Sequence, residues 1–184
     1  MAVLKIARLG NPILRRVADP VDLAELARPG GEIQGLIDDM IETMYHENGA
    51  GLAAPQVSRS LQIVVLEVNQ NKRYPDRPFI PLTVLVNPVI TCYGEETELG
   101  WESCLSLVDF RGLVPRSREV NVEAFTREGE KVVIEASGFK AVVLQHEIDH
   151  LYGKVFIDRM TDLTQLAYQE EFEKYWMEPE TVEI

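Results

Sequence analysis

The stretch FKAVVLQHEIDHLY, residues 139–152, decides the predicted fold. Apolar residues recur along two sides of a helix with this sequence, which predicts a helix that is apolar over most of its circumference. Such a helix has to be buried, and Gly153 directly after it is a typical helix end. We therefore expect the rest of the chain to fold around this helix.

The same helix carries a pattern typical of metal sites. His146 and His150 are four residues apart, so they share one face, and their imidazoles can reach a single ion at roughly 2.0–2.1 Å. Glu147 projects about a quarter-turn away, where it could reach a metal-bound water without being a ligand. Packing does not explain these residues, because unpaired polar groups in a buried helix cost several kcal/mol. The alternative is a pair of surface histidines on a wrongly assigned helix.

A catalytic metal site also needs a third protein ligand. No histidine follows the helix, and Glu170, Glu171 and Glu173 fall on what the pattern indicates is a solvated face. The stronger candidate is Cys104, which lies in residues 101–106 (WESCLS), interpreted as a short irregular segment after a strand. A bound metal would hold it as a thiolate. Considered alone, Cys104 would be interpreted as a small buried hydrophobe.

A third feature is the small-residue segment 49–57, GAGLAAPQV. Small side chains let the backbone approach a ligand closely, and Gln56 adds an amide donor. Considered alone, this segment would be interpreted as a tight turn with a solvent-facing Gln56.

The sequence of the remaining residues predicts further helices and strands. In order, they are a helix over 33–45 ended by Asn48-Gly49, strands over 61–68, 82–86, 89–93, 119–126 and 131–136, and a last helix from near Asp162 with Gln165 as a capping-box partner. Residues 127–129 form a hairpin turn, and residues 69–81 a surface loop. The aromatic stripe Tyr168, Phe172, Tyr175 and Trp176 is interpreted as packing.

This order of elements predicts an α+β fold, with mostly antiparallel sheets wrapped around a central buried helix that carries the metal motif. We expect residues 1–184 to form a single catalytic domain, with a C-terminal helix and acidic tail over about 162–184.

Composition excludes several classes of function. The net charge of −12 argues against direct nucleic-acid binding and gives no reason to expect attachment to anionic membranes. No apolar run approaches the roughly 20 residues needed to span a bilayer, and the first residues do not resemble a secretory signal. We therefore expect a cytoplasmic protein, in which Cys92 and Cys104 stay reduced.

Three motifs together resemble the signature motifs of the peptide deformylase family. They are GAGLAAPQ (49–56), ESCLS (102–106) and QHEIDHL (145–151), in the family's order and at similar separations. The resemblance covers nearly the whole chain, from LGNPILR (9–15) to the helix of the third motif. It implies removal of the formyl group from the N-terminal formylmethionine of new polypeptides, with release of formate. The expected partner is therefore a formylmethionyl peptide or nascent chain.

The resemblance also implies roles for individual residues. The metal ligands would be Cys104, His146 and His150. The catalytic residues would be Glu147 as general base, and Gln56 with the backbone N–H of Leu105 as oxyanion donors. The substrate-binding residues would be Gly51, Glu102 and Arg111, with Arg116 ion-paired to Glu102 and Val142, Val143 and Leu105 as walls of a methionine pocket.

The cofactor implied is one divalent metal ion per chain. The family usually uses ferrous iron, and nickel, cobalt or zinc also serve; imidazole and thiolate suit all four metals. Two features depart from the family. Ser103 stands where the second motif usually has Gly, and the acidic segment 162–184 argues against the ribosome docking that some relatives achieve with a basic tail.

Two other functions stay open at the level of the sequence. A zinc endopeptidase would use only the His146–His150 helix, would cleave internal peptide bonds and would tolerate loss of Cys104. A catalytically silent metal-binding or peptide-binding module would bind formyl-peptide without turnover, although an intact Glu147 and Gln56 argue against it.

Overall fold

The structure, a computed structural model, describes residues 2–69 and 78–177. Most of the predicted loop over 69–81, and residues 178–184 of the predicted acidic tail, lie outside the described residues. The helices are α1 (Leu23–Leu26), α2 (Glu32–His46), α3 (Gly138–Leu151) and α4 (Gln169–Tyr175). The strands are β1 (Gly51–Ala53), β2 (Ile63–Val68), β3 (Ile80–Tyr93), β4 (Thr97–Cys104), β5 (Leu107–Ser117), β6 (Glu119–Phe125), β7 (Lys131–Ser137) and β8 (Leu166–Tyr168).

Two antiparallel sheets surround α3. The larger sheet has the strand order β1-β2-β3-β6-β7, and the smaller one has the order β4-β5-β8. The predicted hairpin of β6 and β7 is confirmed. No helix within the described ranges is long and apolar enough to cross a membrane.

Strand β2 explains how the two long helices are arranged. Its alternate side chains face opposite sides, as a pleated strand requires. Val64 and Leu66 pack with α3, whereas Ile63 and Val65 pack with α2. The larger sheet is therefore covered by a helix on each face. α3 lies between the two sheets, so the predicted α+β fold with a central buried helix is confirmed.

The ends of the helices follow the predicted signals. α2 ends where Asn48 takes a left-handed conformation with φ 53°. After α3, Gly153 has φ 70°, and a Cβ atom there would lie 2.7 Å from the backbone of Arg15. Only glycine fits this exit, because both the dihedral angle and the close approach exclude a side chain.

The prediction of two strands over 82–86 and 89–93 is wrong. The structure has one continuous strand, β3, with a register shift at Asn87, whose φ is 52°. The Asn87 side chain pairs with Val21 through its amide, accepting from the backbone N–H at 2.8 Å and donating to the carbonyl at 2.9 Å. These bonds hold Asn87 in its left-handed conformation while the strand continues on both sides, so Asn87 and Pro88 form a bulge rather than a break.

The prediction of a helix from Asp162 is also wrong. Asp162 does cap a turn, accepting from the Thr164 N–H at 2.9 Å, but the turn is a single 3₁₀ turn. The chain then extends as β8 and pairs with the edge of β5, so the helix begins only at Gln169. Tyr168 of the aromatic stripe consequently lies in a strand, against Phe110.

The prediction of an irregular segment over residues 101–106 is wrong. They form the end of β4 and the tight turn into β5, a hairpin that sequence patterns did not reveal. Gly100, Gly112 and Pro115 interrupt the alternation of apolar and polar residues in these strands. Cys104 is therefore held at the end of a paired strand, directly opposite Leu107 and just after a register shift at Ser103.

Candidate metal centre

The two histidines of α3 lie one turn apart and face the smaller sheet. Both are buried, and their ring centroids are 5.1 Å apart with the planes nearly perpendicular. Cys104 approaches them from the end of β4, with its Sγ 3.3 Å from His150 Nε2. One ligand atom each of Cys104, His146 and His150 lie within 4.8 Å of one another. The structure thus brings together the three predicted ligands.

These donors fit a divalent transition-metal ion. A thiolate and two imidazoles suit iron, cobalt, nickel and zinc. Burial by itself would raise the pKa of the Cys104 thiol, but the charges and hydrogen bonds of His150 and His146 outweigh it and hold that pKa well below its usual value. The thiolate is the form of cysteine that binds metal.

Glu102 orients His146 from behind. Its Oε2 accepts a hydrogen bond of 2.7 Å from His146 Nδ1, which leaves Nε2 as the nitrogen that a metal can use. Burial would raise the pKa of Glu102, but the hydrogen bonds from His146 and Arg116 lower it to about 2. Glu102 is therefore a carboxylate whose two oxygens are both engaged.

Arg116 links this carboxylate to a second one. It binds both oxygens of Glu102, at 2.7 and 3.1 Å, and donates to Asp149 at 2.6 Å. Asp149 also accepts from Arg159. The predicted pairing of Arg116 with Glu102 is present, and its extension to Asp149 and Arg159 was not predicted. The available sequence signal for this extension was the position of Asp149 directly before the metal-motif residue His150.

Glu147 lies beside the histidines, but it is not one of the residues whose ligand atoms lie within 4.8 Å of one another. Its side chain is buried, and no described residue hydrogen-bonds its Oε2. Burial raises the pKa of Glu147, and the charges of His146 and His150 oppose this rise only in part. A Cβ atom on Gly51 would come within 2.6 Å of its Oε1, so glycine is required there for space.

Gln56 reaches the same centre from the 3₁₀ turn after β1. Its Oε1 accepts from the Ala53 N–H at 2.8 Å, which directs the amide N–H groups inward. Those groups donate to Cys104 Sγ and Ser106 Oγ, each at 3.4 Å. The interpretation of Gln56 as a solvent-facing residue is excluded, because the side chain is 1% exposed.

A cavity of about 540 Å³ opens onto this centre. Of the predicted site residues, its walls include Gly51, Gln56, Glu102, Cys104, Leu105, Arg111, His146 and Glu147, with Val142, Val143 and Ser103 beside them. His150 lies beneath Cys104 and is not part of the wall. Sequence reasoning missed Trp101, Phe139, Gln169, Phe172 and Met177, which also line the cavity.

The aromatic stripe was the one sequence signal for any of these residues, and Phe172 is the only one of them that belongs to it. Its interpretation as packing is correct for Phe172 and Trp176, whose rings lie 4.8 and 5.5 Å from that of Trp101. Phe172 nevertheless also lines the cavity, as does Glu173 of the face expected to be solvated. Arg111 lies over the Phe172 ring, with its Cζ 5.9 Å from the centroid.

An α+β fold with a Cys, His, His donor set and a buried carboxylate at the bottom of a cavity defines a metallohydrolase with one metal ion. Comparison with known proteins gives the particular kind. The family model described as polypeptide deformylase matches residues 3–166, and the chain belongs to this family.

Individual relatives agree. Peptide deformylase 1 of Bordetella pertussis is 47% identical over 165 residues, which cover 90% of this chain and 92% of that protein. A class I type b peptide deformylase from Acinetobacter baumannii is 40% identical, with a TM-score of 0.83, and the match covers 88% of this chain and 100% of that one. Another structure of that enzyme, with Met-Ala-Ser bound, is 42% identical with a TM-score of 0.82 over 86% and 99% of the two chains.

The chain is therefore a hydrolase that removes the N-formyl group from the N-terminal formylmethionine of newly made polypeptides and releases formate. A site for a single metal ion accompanies this activity.

Proposed function

We propose that Cys104, His146 and His150 hold the metal ion and that Glu147 is the general base. The observation that carries this proposal is the grouping of three donor atoms within 4.8 Å, at the bottom of a cavity that Glu147 also lines. The ion, when bound, supplies Lewis acidity and lowers the pKa of water. The rest of the chemistry belongs to side chains and backbone groups of the chain itself.

Glu147 moves the proton in this proposal. It accepts a proton from water as the water oxygen bonds to the formyl carbon, and it passes that proton to the departing nitrogen as the C–N bond breaks. Its raised pKa supports this role, because a carboxyl with a pKa closer to neutrality can both accept and return a proton. The products are formate and a free amino terminus.

Gln56 and the backbone N–H of Leu105 stabilise the negative charge that develops on the formyl oxygen. The geometry of Gln56 supports this role, since its carbonyl is fixed by Ala53 and its N–H groups face the donor cluster. Loss of one such donor typically lowers the rate about 10²- to 10³-fold.

The substrate contacts are assigned by the walls of the cavity. Gly51 brings the backbone of β1, an edge strand of the larger sheet, beside Glu147, where a peptide backbone can pair with it. Val142, Val143 and Leu105 form an apolar surface for the methionine side chain, and Arg111 lies over the Phe172 ring in the same cavity. Since both its oxygens are engaged, Glu102 acts on substrate through His146 rather than by direct contact.

We further propose ferrous iron as the metal in the cell, with nickel, cobalt and zinc as working substitutes. The mixed thiolate and imidazole donor set supports any of them. Oxygen sensitivity separates the metals, because ferrous iron is redox-active and zinc is not. After exposure to air, the iron-loaded protein should lose activity faster than the nickel- or zinc-loaded protein, with oxidation of Cys104 but not of exposed Cys92 tracking the loss.

We also infer a single catalytic domain over residues 1–184, located in the cytoplasm, where polypeptides are made. Exposed Glu170, Glu171 and Glu173 give α4 an acidic surface. That surface repels phosphate backbones, so direct nucleic-acid binding and docking on ribosomal RNA through a basic tail are not expected.

The test is formate release from formyl-Met-Ala-Ser under anaerobic conditions, with defined metals and with acetyl-Met-Ala-Ser as the matched control. We expect release from the formyl peptide alone, because a confined site excludes the additional methyl group of the acetyl peptide. Absence of formate would favour a silent binding module. Cleavage of internal peptide bonds, retained in Cys104→Ser, would favour the endopeptidase; we expect this variant instead to lose metal.

A further inference from the structure

Helix α4 forms the outer wall of the cavity that contains the metal centre. Gln169, Phe172 and Glu173 project from it into the lining, while Tyr175 lies outside the lining and is 64% exposed. The helix therefore presents one face to the cavity and another to solvent. The proposed chemistry assigns no role to the residues on the face of α4 that lines the cavity.

The position of α4 is fixed relative to the metal centre. Its Phe172 ring packs on Trp101, which lies on β4 three residues before Cys104. Strand β8, directly before α4, pairs with β5, the hairpin partner of β4. The outer wall and Cys104 thus belong to one small sheet, so a substrate held at the metal centre meets α4 at a defined distance.

Gln169 offers an acceptor on this wall. Its amide N–H donates to Glu173, which identifies the other terminal atom, Oε1, as the carbonyl oxygen. This Oε1 is buried, and no described residue donates a hydrogen bond to it. A buried acceptor without a partner is unfavourable, and a donor from a bound peptide would satisfy it.

The path of the substrate follows from the proposed function, on which this inference rests. With the formyl group at the metal centre and the methionine side chain on Val142 and Val143, the peptide leaves through the outer part of the cavity. We propose that α4 is a specificity determinant for the residue that follows the N-terminal methionine. Phe172 packs against its side chain, favouring apolar and aromatic residues, and Gln169 Oε1 accepts from a peptide N–H.

The test compares formyl-Met-Phe-Ser with formyl-Met-Ala-Ser. For the unmodified protein we expect the phenylalanine peptide to have a KM about three- to tenfold lower, with similar kcat, as an additional aromatic contact implies. Phe172→Ala should bring the ratio of the two KM values close to one, and Phe172→Leu should keep part of it. Gln169→Met should raise both KM values about two- to fivefold without changing kcat.

Two controls separate recognition from folding. Tyr175→Ala, on the outer face of α4, should leave both KM values unchanged. Tryptophan fluorescence can follow binding of the product Met-Phe-Ser, because Trp101 and Trp176 are the only two tryptophans of the chain and both pack near Phe172. In Phe172→Ala this binding should weaken by the same factor by which KM rises.

An unchanged ratio of KM values in Phe172→Ala would overturn the inference, as would equal effects of Phe172→Ala and Tyr175→Ala. Failure of the unmodified protein to release formate from either peptide would instead overturn the proposed function. The two failures are therefore distinguishable in one set of assays.

Discussion

Helices α3 and α4 line the same cavity but are held in different ways. α3 is buried from Val143 to Leu151, and its Gln145, His146 and Asp149 side chains are hydrogen-bonded to Ser117, Glu102 and Arg116 respectively. α4 has seven residues, mostly exposed, and packs mainly through Phe172 and Trp176 onto Trp101. The comparison indicates that the chemistry is fixed by many mutually supporting contacts, whereas recognition beyond methionine depends on a few.

The largest expected effect is on the chemistry of α3. Glu147→Gln should retain metal and fold but lose turnover by about 10²- to 10⁴-fold, because the amide cannot take a proton from water. Formate release and elemental analysis measure the two properties separately. Glu135→Gln, on the exposed side of β7, is the matched control. Near-normal turnover in Glu147→Gln would remove Glu147 from the reaction.

The next effect tests the support behind α3. Arg116→Met should lower the free energy of unfolding by about 3–5 kcal/mol, because it leaves the buried carboxylates of Glu102 and Asp149 without their shared partner. Urea unfolding measures this difference. Arg118→Met is the control, since its ion pair with Glu96 is exposed and should contribute under about 1 kcal/mol. Equal effects would mean that the buried network does not stabilise α3.

A smaller effect is expected from crowding Glu147. Gly51→Ala places a methyl group 2.6 Å from Glu147 Oε1, so the carboxylate must move, and kcat should fall about 10²-fold. Gly100→Ala is the control, because a Cβ atom there meets nothing within 4 Å. Steady-state kinetics on formyl-Met-Ala-Ser make the comparison. A normal kcat in Gly51→Ala would mean that the Glu147 carboxylate can move aside without loss of activity.

The smallest effect concerns α4. Trp176→Ala removes one ring contact with Trp101, and the free energy of unfolding should fall by only about 0.5–1.5 kcal/mol, since Trp176 is half exposed. Thermal or urea unfolding measures it, with Tyr175→Ala as the control. A loss above about 3 kcal/mol would break the comparison, because α4 would then be as firmly integrated as α3.

The sequence by itself determined the elements whose signals are local. Helices α2 and α3 were predicted because apolar residues repeat at helical spacing and Asn48 or Gly153 ends them. The grouping of His146 and His150 follows from helical geometry alone, and Gln56, Cys104 and Glu147 were identified through three motifs in order.

Only the tertiary structure decided features that depend on distant partners. β8 exists because β5 offers it an edge, although Asp162 and Gln165 locally favour a helix. Asn87 stays within a strand because Val21 satisfies its amide. The same holds for the ion-pair network of Arg159, Asp149, Arg116 and Glu102, which joins residues from different elements. It also holds for the wall that α4 contributes to the cavity. These contacts arise from long-range pairing and burial, which spacing along the chain does not encode.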